Sequence, residues 1–146
     1  MKTLPKSNCP PTKQFIVTLL LAFISFFTNA TTLHIGSTFP YPNLQEAAQN
    51  AQPGDTLLYH EGTYAGGQTI FELQGTPDAW IYILNAPGET VIIDGGSKAI
   101  QFIDPAYLYI SGLIVQHQTG NGINTDDAGN YETPAHHIIF ENCTFR

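Results

Sequence analysis

The chain has 146 residues with a formal net charge of −7, and all twelve of its acidic residues lie beyond residue 30. Three of its five basic residues fall in that leader, so the remainder keeps only Lys98 and Arg146 and carries a net charge of −10 with histidine neutral. That balance excludes a nucleic-acid surface or an anionic-membrane surface, both of which need clustered lysine and arginine.

The leader has its own logic. Lys2, Lys6 and Lys13 precede an apolar run from Phe15 to Phe27, and Thr28-Asn29-Ala30 supplies small residues after it. This order predicts a secretory signal peptide over residues 1–30, cleaved after Ala30, and a secreted mature chain with no membrane attachment. A thirteen-residue run, interrupted by Thr18 and Ser25, is too short for a bilayer that needs about 20 residues. The domain is then residues 31–146, enough for one small core. Cys143 is its single cysteine, which rules out an internal disulfide or a multi-cysteine zinc site.

Leu33 and Ile35 suggest a first strand, broken by Pro40 and Pro42. Asn43 then stands three residues before Glu46, the spacing of a capping box. Leu44, Ala47, Ala48 and Ala51 fall on one helical face, and Pro53-Gly54 stops the helix. A short helix with one apolar stripe suits a cap over the end of a repeat stack. Gly54 and Gly62 read as structural turn residues on either side of the next strand.

Short apolar runs follow over residues 56–59, 70–73, 80–84, 91–93, 99–103, 107–110, 113–115 and 138–140, most bounded by Gly, Pro, Asn or Asp. Their spacing alone leaves a sandwich or a closed barrel open. An internal echo decides. Residues 108–115 (LYISGLIV) align with 138–145 (IIFENCTF) at an offset of 30, and 80–83 echo 107–110 at 27. Gly112 matches Asn142, and both residue types accept the left-handed backbone of a tight corner, so these two are assigned structural roles. The fold expected is all-β: a right-handed parallel β-helix with a short N-terminal capping helix, present as a truncated set of coils. Further coils, or an end-to-end dimer, are expected to cover its C-terminal edge.

The segment from Leu44 to Tyr64, the run Glu89-Thr-Val-Ile-Ile-Asp-Gly95 and the strand-corner-strand units resemble the N-terminal part of the pectate lyase-like β-helix superfamily, nearest to the chondroitinase B and alginate lyase group. The resemblance implies a secreted protein that binds or degrades an acidic polysaccharide. It carries no catalytic residue across, because that group places its catalytic Lys and Arg and its calcium-binding acids in later coils. The alternative is a non-catalytic surface or adhesion solenoid.

Three sets of residues stand out as site candidates. Tyr107 and Tyr109, with Trp80 and Tyr82, are placed to stack against sugar rings. Asp126 and Asp127 are candidate calcium ligands within Asn124-Thr-Asp-Asp127, whose Asn-Thr-Asp tripeptide is similar to one in polygalacturonases, although the surrounding glycines predict a solvated polar loop. Lys98, after Gly95-Gly96-Ser97, is expected in a turn and in solvent. His117, His136 and His137 are assigned structural or solvent-facing roles, since adjacent residues of a regular strand face opposite ways.

Overall fold

The computed structural model describes residues 29–129 and 134–146, so the signal peptide expected over residues 1–30 falls almost wholly outside the described residues. The sole described helix is too short to cross a membrane. The chain forms a parallel β-solenoid of about four turns with this one short helix, as the repeat spacing predicts.

The first strand, β1 (Thr32–Ile35), is followed by helix α1 (Leu44–Ala48). The first full coil is β2 (Thr56–Tyr59), β3 (Gly62–Ala65) and β4 (Gln68–Phe71). The second is β5 (Ile81–Asn85), β6 (Val91–Asp94) and β7 (Ile100–Ile103). The third is β8 (Ala106–Ser111), β9 (Leu113–Gln116) and β10 (Ile123–Asp126), and β11 (His136–Glu141) and β12 (Thr144–Phe145) begin the fourth. Equivalent strands stack into three sheets, which we name by position. Sheet A is β1-β2-β5-β8-β11, sheet B is β3-β6-β9-β12, and sheet C is β4-β7-β10.

The register agrees with the internal echo. Leu108 pairs with Ile138, Ile110 with Phe140 and Val115 with Phe145, each 30 residues apart, while Ile81 pairs with Leu108 at 27. Because side chains alternate along a strand, each coil sends every second residue inward and successive coils pile these into columns. Leu33, Leu57, Ile83, Ile110 and Phe140 form one such column, and Tyr64, Ile93, Val115 and Phe145 another. The inner members of the stack are sealed, whereas in the fourth coil Phe140 and Phe145 are 41% and 52% exposed.

Helix α1 caps the other end. Asn43 caps the helix as expected by accepting from the amide of Glu46, but the return contact of a capping box is replaced by a side-chain one, from the Asn43 amide to the Glu46 carboxylate. Leu44 and Ala47 are fully buried, and Ala48 and Ala51 pack against the core at its edge. The helix takes the place a strand would occupy above β4: the side-chain oxygen of Gln45 accepts the amide of Thr69 at 3.0 Å, as a neighbouring strand's carbonyl would. Asp55, also buried, ties β1 to the turn at Pro53-Gly54 by accepting from the amides of Thr31 and Gln52 and from the Thr31 hydroxyl.

The corner between sheets A and B is the tightest. Gly112 turns it in the third coil with φ 83° and Asn142 in the fourth with φ 52°, the equivalence expected from the echo. Gly54 has φ 95°, and Gly62 opens β3 with φ 157°. One expectation is corrected. The polar segment around Asn124-Thr-Asp-Asp127 is not simply a solvated loop, because residues 123–126 are strand β10, paired with β7. Its strand character comes from backbone hydrogen bonding to a preformed neighbour rather than from an apolar pattern of its own.

Candidate functional site

Sheet C presents two outward rows. Thr69, Gln101 and Asn124 align in one, and Phe71, Ile103 and Asp126 in the other. Between them Ile70 and Phe102 point into the core. The outer face of this sheet therefore carries amides and a carboxylate from successive coils, and beside them Phe71, a phenyl ring 67% exposed.

Gln101 organises that face. Its side-chain oxygen accepts from the ammonium of Lys98 and, at 3.0 Å, from the amide of Asn124. Its nitrogen donates to Asp126 Oδ2 at 2.5 Å. Asn121 extends the chain by donating to Asn124 Oδ1. The amide thus sits between a cation and an anion, each of which polarises it, and this full set of partners is what permits its burial at 8% exposure. Lys98 is therefore not simply solvated in its turn. An ammonium, two amides and a carboxylate thus form one hydrogen-bonded set of donors and acceptors, and the exposed ring of Phe71 lies on the same face of the sheet, one strand away from Gln101.

Asp126 and Asp127 do not converge on one point through their hydrogen bonds. Asp126 Oδ1 accepts the amide of Ala128 and Asp127 Oδ1 that of Gly129, each within its own turn. Among the described residues no group of three or more His, Cys, Asp or Glu side chains is placed to hold a metal ion.

The four aromatic residues singled out in the sequence divide into two groups on sheet A. Tyr82 and Tyr109 share an outward row, their ring centroids 5.7 Å apart, and the Tyr109 hydroxyl donates to Glu141. Trp80 and Tyr107 form the other group, 5.6 Å apart edge to face, and Tyr107 stacks at 4.5 Å on His137. Cys143 is half-buried against the core.

A further cluster lay beyond the reach of the sequence. His34 Nδ1 and His60 Nε2 share a hydrogen bond at 2.8 Å, and His60 Nδ1 lies 3.1 Å from Glu89 Oε2. Phe39 stacks flat on His60 at 3.7 Å, which holds the segment between β1 and α1 against the first coil. Glu89 also accepts the amide of Glu61 at 2.7 Å, and its charge, after burial, helps raise the Tyr64 hydroxyl above its ordinary value. These residues come from three successive coils, and no local motif joins them. Their common spacing, 26 and 29 residues, is the coil length, and that period is the one signal a reader of the sequence had.

Among known protein families, curated proteins and solved structures, none matches this chain.

Proposed function

We propose that this solenoid is a secreted polysaccharide-binding domain of the pectate lyase-like superfamily, nearest to the chondroitinase B and alginate lyase group, and that it holds its ligand along the outer face of sheet C. The observation that carries this reading is the hydrogen-bonded set of Lys98, Gln101, Asn124 and Asp126, with the exposed ring of Phe71 on the same face. Long polymers suit a site built from a repeated strand, since each coil offers equivalent donors and acceptors at strand spacing, about 4.8 Å. Lys98 is the ammonium that would meet a uronate carboxylate, and Phe71 the ring on which a sugar face would rest.

Affinity electrophoresis in gels containing alginate, pectate or chondroitin tests this. The expected result is retardation in at least one of them, with Phe71→Ala and Lys98→Ala each weakening it about tenfold, a loss of about 1.4 kcal/mol. Retardation lost instead in Tyr109→Ala, with Phe71→Ala unaffected, would move the binding face to sheet A. Free migration through all three polymers would refute the reading.

A further inference from the structure

In a regular strand His136 and His137 would point to opposite faces. They do not, because His137 has a left-handed backbone with φ 54°. Tyr107, opposite it in the preceding coil, has the same conformation with φ 52°, and the paired positions on either side, His136 with Ala106 and Ile138 with Leu108, keep the sheet in register. The local twist turns both imidazoles to one side. Their Nδ1 atoms lie 2.9 Å apart, with the rings perpendicular.

That separation is the length of the N–H···N hydrogen bond the two rings now share, and it is also close to the bite of a metal chelate. Two nitrogens bound at about 2.0 Å to one metal and at right angles to each other are about 2.8 Å apart, whereas a tetrahedral ion spreads them to about 3.3 Å. We propose that His136 and His137 form a two-imidazole chelate for a tetragonal divalent ion, Cu²⁺ foremost, bound through both Nδ1 atoms, with solvent in its other positions. Copper heads the order of affinity of divalent ions for nitrogen ligands.

The protonation states allow it. The present hydrogen bond needs a proton on one of the two Nδ1 atoms. Moving that proton to Nε2 of the same ring leaves both Nδ1 lone pairs free, with no change in the charge of either imidazole. The surroundings fix the geometry: Tyr107 stacks on His137 at 4.5 Å and meets His136 edge to face at 5.0 Å. Both histidines are exposed, so an ion reaches them from solvent.

Trp80, the chain's single tryptophan, lies 6.3 Å from the His137 ring and reports on the site, since bound Cu²⁺ quenches a nearby indole. The full mature chain would be titrated with Cu²⁺ and followed by Trp80 fluorescence, with nitrogen hyperfine structure read from the electron paramagnetic resonance spectrum. The expected result is quenching that saturates at one equivalent and a spectrum showing two coordinated nitrogens. His136→Ala and His137→Asn should each weaken binding at least tenfold; asparagine is chosen at 137 because it accepts the left-handed backbone. His117→Gly, on another face, should bind as the parent does. Quenching that never saturates, or that is equal in His136→Ala and the parent, would overturn the proposal.

Discussion

The side-chain oxygen of Gln68, in β4, accepts the backbone amide of Leu44 at 2.9 Å across 24 residues of sequence. It also takes the amide of Gln45 at 3.3 Å, while its nitrogen donates to the carbonyl of Ala65. One buried amide thus closes the N-terminus of the capping helix and fastens that helix to the first coil. Gln68→Ala leaves those groups without their partner and should cost about 1–3 kcal/mol, read as a lower midpoint in urea denaturation.

The corner at Gly112 makes a sharper prediction. A Cβ there would collide with the side-chain amide of Asn85, and the backbone is left-handed besides. Gly112→Ala should destabilise by more than about 2 kcal/mol, while Asn142→Gly, at the equivalent corner, should change stability by less than about 0.5 kcal/mol. Thermal melting of the two variants side by side checks the asymmetry.

Tyr59 is fully buried, and among the described residues its hydroxyl has no partner within hydrogen-bond geometry, although the Gln68 side chain and the Leu44 amide lie near it. Tyr59→Phe should therefore leave stability unchanged or raise it by about 1 kcal/mol. Burial also pushes this hydroxyl far above the ordinary tyrosine value. The unfolded chain releases that proton near pH 10 and the folded chain keeps it, so stability must fall as pH rises beyond about 10. The fall should be shallower in Tyr59→Phe, as measured by urea midpoints between neutral and alkaline pH.

Asp94 titrates below the usual carboxylate range, chiefly because His117 Nδ1 hydrogen-bonds its Oδ1 at 2.8 Å. The stability this provides is present above the ordinary carboxylate value and is lost as pH falls through the lowered one. Removing the imidazole by His117→Gly, which also suits the local φ of 60°, should return Asp94 toward its ordinary value. Carboxyl chemical shifts followed through an acid titration would show the move.

The parts of the fold legible in sequence were those where apolar columns repeat. Leu108, Ile110 and Val115 announce Ile138, Phe140 and Phe145, and the pairings follow. Strands β3 and β10 were not legible, since Gly62-Thr-Tyr-Ala65 and Ile123-Asn-Thr-Asp126 carry no apolar alternation and become strands through their neighbours' backbones. The face of sheet C was hidden for a related reason. Gln101 and Asn124 meet only because β7 and β10 stack at an offset of 23, a distance that no local motif encodes. The convergence of His136 and His137 depends on a left-handed residue inside a strand, and histidine at that position gives no advance sign of it.

Every strand pairing runs between neighbouring coils, so the molecule is held together as a pile whose layers know only the layer above and the layer below. Tension applied along the pile should peel it in steps, a coil at a time. With Tyr82 and Tyr109 marking the same point of consecutive coils 27 residues apart, each step should free roughly 90 Å of chain.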